Sequence, residues 1–129
     1  MKKIIIYSYS KCSTCRKALN WLGSNNFKYQ LIDIVENPPS FEHLDLALKQ
    51  YIADKKKIFN TRGKSFKSID IDIYTLQNEE IIKLLFNDGK LIKRPFLVYE
   101  NKKIILGFNE IEYSNFFIGS NFIVKGKIS

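Results

Sequence analysis

Two cysteines and one histidine are few for a chain of 129 residues, and their scarcity narrows the chemistry. Two thiols cannot build the disulfide framework of a small secreted domain. A structural zinc takes four ligands, and Cys12, Cys15 and His43 leave a monomeric site short of them. His43 falls on a predicted helix far from the cysteines and is expected to face solvent. No apolar run approaches the ~20 residues of a membrane span. The run Ile4-Ile5-Ile6 is too short for a signal-peptide core, and polar residues follow it at once. Internal repeats and low-complexity linkers are also lacking. A soluble cytoplasmic protein with no membrane partner is the default expectation.

What is present supports a single domain over residues 1–129. The chain is 45% hydrophobic and 14% aromatic, enough to bury a core without covalent staples. Its net charge is +8, which suits anionic substrates or an acidic protein partner. The lysines are scattered, and the densest run, Lys55-Lys56-Lys57, has only three. No nucleic-acid-binding motif accompanies the charge, so direct binding to nucleic acid is not expected.

The hydrophobic pattern predicts a β-α-β opening. Lys3–Tyr7 is nearly all apolar, as in a strand buried on both faces. A helix from Ser13 places Cys15, Ala18, Leu19 and Leu22 on one face and ends at Gly23. The alternation in Phe27–Ile32 predicts a second strand, with Phe27, Tyr29 and Leu31 inward. Pro38-Pro39 breaks the chain. Ser40 then caps a helix whose buried stripe is Phe41, Leu44, Leu48 and Ile52. The turn Asn60-Thr61-Arg62-Gly63 precedes a short helix. A clearer helix capped by Asn78 has Ile81, Ile82, Leu85 and Phe86 as its apolar face, with Gly89 just beyond it. Pro95–Tyr99 and Lys103–Leu106 form a hairpin around Glu100-Asn101-Lys102, and Asn109 or Glu110 starts a last helix through Phe117. The order β-α-β, helical insert (about 38–92), β-β-α predicts an α/β fold with a mixed four-stranded sheet. The tail, 119–129, is weakly patterned.

The stretch "YSYSKCSTCRKALNWL" puts both cysteines where a strand hands over to a helix. A disulfide across two residues closes too small a loop to act as a structural staple. The position favours redox chemistry instead. Cys12 meets the unpaired N–H groups and positive end of the helix dipole, with Lys11 and Arg16 adding charge that stabilises an anionic sulfur. Cys12 is therefore the expected nucleophile. Cys15 lies one turn inward on the same face, placed to attack an adduct on Cys12 and release it as a disulfide. Arg62 and Arg94 are candidate anion binders, since a guanidinium fork suits carboxylates and tetrahedral oxyanions.

Four blocks in this order, "KCSTCRKALNWL", "IFNTRGKSFK", "GKLIKRPFLV" and "ILGFNEIEY", resemble the ArsC/Spx family of thioredoxin-fold proteins over about residues 3–117. The resemblance implies a cis bond at Pro95, opposite the active site. It implies one of two functions. In arsenate reductases a cysteine attacks arsenic while arginines hold the oxyanion. Cys12 matches that nucleophile, Arg16 the arginine after its loop, and Arg62 and Arg94 two of the oxyanion-binding arginines. A third arginine is absent, the chain reading Leu106-Gly107-Phe108. Glutaredoxin-dependent reductases carry serine where this chain has Cys15, so a thioredoxin-like electron donor is implied here, with a glutaredoxin-type donor as the other choice. In Spx-type regulators the CxxC pair is an oxidation switch, and the partner is the C-terminal domain of the RNA polymerase α-subunit. There a glycine at the polymerase contact matches Asp54 here, and Lys55-Lys56-Lys57 replaces a more acidic stretch. The reading is a thiol–disulfide oxidoreductase resembling arsenate reductases, with an Spx-type regulator as the alternative. It calls for no cofactor and no metal.

Overall fold

The computed structural model of the protein describes residues 2–119; the expectation for the tail therefore falls, apart from Gly119, outside the described residues. Strand β1 (Ile4–Ser8) is buried along its whole length. Helix α1 (Ser13–Ser24) follows, and β2 (Gln30–Asp33) returns parallel to β1. The insert carries α2 (Phe41–Gln50), α3 (Lys64–Lys67) and α4 (Asn78–Asn87), with tight helical turns at Lys55–Ile58, Ile73–Thr75 and Gly89–Leu91. Strands β3 (Phe96–Tyr99) and β4 (Lys103–Leu106) then lead to α5 (Glu110–Phe117). The sheet order is β2-β1-β3-β4, with β3 antiparallel to both β1 and β4. This is the mixed sheet that the element order predicts.

Alternation along the strands divides the core in two. Ile5, Tyr7, Phe96, Val98 and Ile104 pack against Leu44, Ala47 and Leu48 of α2 and Ile81, Ile82 and Leu85 of α4. Ile4, Ile6, Leu97 and Ile105 pack on the other face against Ala18, Trp21 and Leu22 of α1 and Tyr113 of α5. Helices on both faces explain why β1 reads as a continuous apolar run rather than an alternating one.

Several side chains depart from their predicted places. Leu31 is exposed because β2 is an edge strand outside the helices, and the strand itself begins only at Gln30. Leu19 is half-buried at the margin of the α1 contact. Ile52 lies beyond the end of α2 and is exposed. Phe86 is also exposed. It meets the equally exposed Phe41 edge-to-face at 4.7 Å, so the two rings cover each other on the surface between α4 and α2. Helix α4 is capped by Gln77, whose N–H donates to the Glu80 carboxylate at 2.9 Å. The Asn78 side chain accepts from Lys55 instead.

His43 is buried, contrary to expectation. Its Nδ1 lies 3.2 Å from the Tyr7 hydroxyl and its Nε2 lies 3.0 Å from Asn101 Oδ1. It thereby joins α2 to β1 and to the β3–β4 turn. That turn is tight: Lys102 N–H donates to Tyr99 C=O, while Glu100 and Asn101 both take positive φ, the mirror-image geometry suited to a two-residue hairpin. Glu100 is held there by Lys3, whose N–H donates to its carboxylate and whose C=O accepts from its N–H.

Gly89 also has a different role from the predicted helix stop. A Cβ at this position would lie 1.9 Å from the Ile34 carbonyl oxygen. The absence of a side chain lets the turn after α4 close onto the segment leaving β2. Gly89→Ala should therefore overpack the backbone and lower stability by about 1–3 kcal/mol or more, read as a shift in the urea midpoint at unchanged m-value. An unchanged midpoint would show that this contact relaxes freely.

Candidate functional site

The site forms where the buried strand β1 stops. Its last residue, Ser8, leads into the loop Tyr9-Ser10-Lys11, which closes when Cys12 N–H donates to the Tyr9 carbonyl at 3.0 Å. Cys12 is the N-cap of α1, with extended backbone angles. Its sulfur accepts the N–H of Cys15 at 3.2 Å, taking the position a serine or aspartate oxygen usually fills at a helix start. Its carbonyl accepts the Arg16 N–H at 3.2 Å. Both thiols are free.

The two cysteines differ in environment. Cys12 is half-buried, whereas Cys15 is 1% exposed. Burial, and after it the hydrogen bond with Cys12, pushes the Cys15 thiol up to about 11, against the opposing hydrogen bonds from Ser8 and the Tyr9 backbone. Cys15, the inward member of the pair, is therefore a protonated thiol at neutral pH. Ser8 and Tyr9 were not singled out by the sequence pattern, because a serine and a tyrosine before a CxxC carry no periodic signal. Their adjacency to the cysteines was the available clue.

The arginines take separate positions. Arg16 is exposed, and its Nη1 donates to the Ser10 carbonyl at 3.0 Å, so it braces the loop that carries Cys12. Arg94 stacks on the Tyr9 ring, 4.8 Å from its centroid, and donates to the Lys90 carbonyl at 3.4 Å. Through Tyr9 it reaches the same loop that Cys12 closes. The Arg94–Pro95 bond is cis. Pro95 stands immediately before Phe96, whose register partner Tyr7 is two residues from Tyr9 of the cysteine loop. Arg62 is exposed in its turn and makes no hydrogen bond or ion pair among the described residues. The structure does not bring it into contact with Cys12.

Two cavities flank Tyr9. One, of about 210 Å³, is lined by Asn60, Gly63, Lys64, Ser65, Lys90 and Arg94 besides Tyr9, with three cations and no carboxylate. The other, of about 400 Å³, lies against Ser10, Arg16, Leu19, Leu31 and Ile32, and is largely apolar. The cysteine loop therefore sits between a cationic and an apolar recess. Among the described residues no group of three or more histidine, cysteine or acidic side chains is placed to hold a metal.

A buried central strand that delivers a CxxC pair to a helix N-terminus, with a cis-proline just before its antiparallel partner strand, is the arrangement of a thioredoxin-like fold. Comparison with known proteins narrows the class. The family model described as "ArsC family" matches residues 7–116, and the chain belongs to that family. YusI, an uncharacterized protein of Bacillus subtilis, is 38% identical over 112 residues, covering 85% of this chain and 94% of YusI. The global transcriptional regulator Spx of Lactiplantibacillus plantarum is 30% identical over 113 residues, covering 88% of this chain and 85% of Spx. The crystal structure of a possible arsenate reductase from Streptococcus mutans superposes with a TM-score of 0.76 at 38% identity, covering 82% of this chain and 91% of that one. No helix among the described residues is long and apolar enough to cross a membrane.

The burial difference sets an order of reactivity. With its pKa near 11, Cys15 has a thiolate fraction of roughly 10⁻⁴ at pH 7, and its sulfur is shielded as well. Iodoacetamide at pH 7 should label Cys12 first and leave Cys15 unmodified until Cys12 is consumed. Peptide mapping by mass spectrometry that found equal early labelling would contradict this assignment.

Proposed function

We propose that the protein is a thiol–disulfide oxidoreductase in which Cys12 is the nucleophile and Cys15 the resolving thiol, with arsenate or a similar oxyanion as its substrate class. The observation that carries the reading is the Cys12 sulfur at the α1 N-cap, accepting the Cys15 N–H, with the Cys15 thiol buried one turn below. Backbone N–H groups and the helix dipole stabilise charge on Cys12 where it must develop. The cationic recess beside Tyr9 supplies Arg94, Lys64 and Lys90 as counter-charges for an incoming anion.

The chemistry balances with two thiols and one external donor. The Cys12 sulfur displaces a hydroxyl from arsenic(V), giving a sulfur–arsenic bond and water. The Cys15 sulfur then attacks the Cys12 sulfur. The electron pair of the broken sulfur–arsenic bond stays with arsenic, which leaves as arsenite, and the Cys12–Cys15 disulfide remains. A dithiol donor of thioredoxin or glutaredoxin type returns two electrons and two protons to that disulfide. The order of steps follows from exposure: Cys12 is half-buried and meets the oxyanion first, while Cys15 is buried beneath it and acts on the adduct. A cytoplasmic setting, where thiols are kept reduced, suits this cycle.

A second reading is supported by the Spx relative, whose name is that of a transcriptional regulator. In it the same thiol pair is an oxidation switch, and the RNA polymerase α-subunit is the partner that the family resemblance implies. One set of measurements separates the two. Under the enzyme reading, arsenate protects Cys12 from alkylation and is turned over with a thioredoxin or glutaredoxin donor. Arg94→Ala then loses about tenfold to a hundredfold in kcat/KM, the range for one charge-assisted contact. Cys15→Ser stalls after the first step unless an external thiol is added. Under the regulator reading, arsenate has no effect, and polymerase capture differs between the reduced and disulfide forms in a manner abolished by Cys12→Ala. Absence of arsenate protection and of turnover with either donor would overturn the oxyanion assignment.

A further inference from the structure

Residues 58–60 run antiparallel to residues 91–93: Asn60 N–H donates to the Leu91 carbonyl at 2.7 Å, Lys93 N–H donates to the Ile58 carbonyl at 2.8 Å, and Phe59 bridges Ile92. Asn60 and Arg94 line the cationic recess beside Tyr9. Phe59, Thr61 and Lys93 line a different cavity, of about 470 Å³, and the two cavities share no lining residue. Residues of this short pairing and its ends thus contribute to both cavities.

The second cavity has the anatomy of a ligand site. Its volume lies in the range of small-molecule pockets. Phe59, 2% exposed, together with Leu106 and Tyr51 gives it an apolar floor. Lys56, Lys57 and Lys93 bring three ammoniums to the wall, and Asp54 and Glu112 bring two carboxylates. None of these five charges is in an ion pair among the described residues. Asp54 accepts from the Tyr74 hydroxyl at 3.1 Å, and Lys56 lies 5.8 Å from the Phe66 ring centroid, which leaves Lys57 and Lys93 uncommitted to any neighbour among the described residues. One positive charge is in excess. Burial and the nearby Glu112 raise the Tyr51 phenol, so it remains a hydroxyl donor at neutral pH. The frame is fixed in advance by the antiparallel pairing and by the turn at Lys55–Ile58.

We propose that this cavity is a binding site for a small organic monoanion, a carboxylate or sulfonate on an aromatic or aliphatic body, held by Lys57 and Lys93 over the Phe59–Leu106 floor. The site lies apart from the cysteine loop, and its existence does not depend on the redox reading. An ion without an apolar body leaves the floor unused, so inorganic phosphate should bind far more weakly.

The test uses the full chain with 1-anilinonaphthalene-8-sulfonate as the fluorescent probe and benzoate as competitor. The expected result is saturable binding at one site per chain, tighter than about 1 mM. Benzoate should displace the probe, and added salt should weaken binding. Lys57→Gln and Lys93→Gln should each weaken the probe about tenfold, the effect of removing one charge-assisted contact. Phe41→Ser, which breaks the exposed Phe41–Phe86 pair elsewhere on the surface, should leave binding unchanged. Amide shifts on benzoate addition should centre on Thr61 and Leu106, a readout in the unmodified protein that does not depend on how the variants fold. Non-saturable binding, lysine variants that bind as the wild type, loss of signal with Phe41→Ser, or shifts elsewhere would each overturn the proposal.

Discussion

The backbone N–H of Cys15 points at the sulfur of Cys12, and the geometry of the site is organised around that contact. The first turn of a helix leaves N–H groups without intrahelical partners. Here a sulfur meets one of them at 3.2 Å. The contact requires Cys12 to hold extended angles while Cys15 is already helical, so the chain must turn sharply between β1 and α1. The Cys12 N–H bond to the Tyr9 carbonyl makes that turn, and the brace from Arg16 to the Ser10 carbonyl supports it. Rigid anchors lie at both ends. Ser8 belongs to a strand buried on both faces, and Ala18, Trp21 and Leu22 fix α1 to the sheet. A free, partly exposed sulfur is thus carried on a junction anchored at both ends, a condition for precise placement of a side chain.

Much of this was legible in the sequence because it depends on neighbours. The apolar run of β1, the helical spacing of Cys15, Ala18 and Leu22, the Ser40 cap and the two strands of the hairpin each involve residues a few positions apart. Errors arose where a distant partner decides the outcome. Ile81, Ile82, Leu85 and Phe86 cover more arc than α4 can bury, and only tertiary contact shows that Phe86 is the residue left at the edge, against Phe41. His43 reads as a polar helix residue until Tyr7 and Asn101, 36 and 58 positions away, are seen to satisfy both ring nitrogens. The close approach of Gly89 to Ile34 leaves no periodic trace at all. Of the site, the cysteine pair and the cis-proline could be anticipated, the latter through family resemblance. The stacking of Arg94 on Tyr9 and the isolation of Arg62 could not, since a guanidinium's position is set by whichever ring or carbonyl the fold brings near it.

The second core cluster shows how the far helix reaches the thiols. Trp21 stacks on Phe27 and meets Tyr113 edge-on, while Tyr113 also touches Phe108 and Phe117. Tyr113 is fully buried, and its hydroxyl donates to the Gly107 carbonyl at 3.4 Å. Burial raises its phenol, with smaller contributions from Glu112 and Cys15, so it stays a neutral hydroxyl donor to Gly107. An α5 displaced from the sheet would loosen Trp21, and with it the helix that Cys12 caps.

Gly107 stands at the meeting point of these parts. It takes positive φ directly after β4, receives the Tyr113 hydroxyl on its carbonyl, and donates its N–H to the Pro95 carbonyl at 2.9 Å. A Cβ there would lie 3.3 Å from Lys93 Cε. The position falls in the segment where the family resemblance leads one to expect a third arginine. A side chain at Gly107 would have to adopt strained backbone angles and press on Lys93 at once. In this chain the segment joins the cis-proline turn to α5 through these two hydrogen bonds. Lys64 and Lys90 line one recess together with Arg94, and Lys57 and Lys93 line the other. Of the two, the recess with Arg94 is the one that includes Tyr9, whose carbonyl closes the cysteine loop.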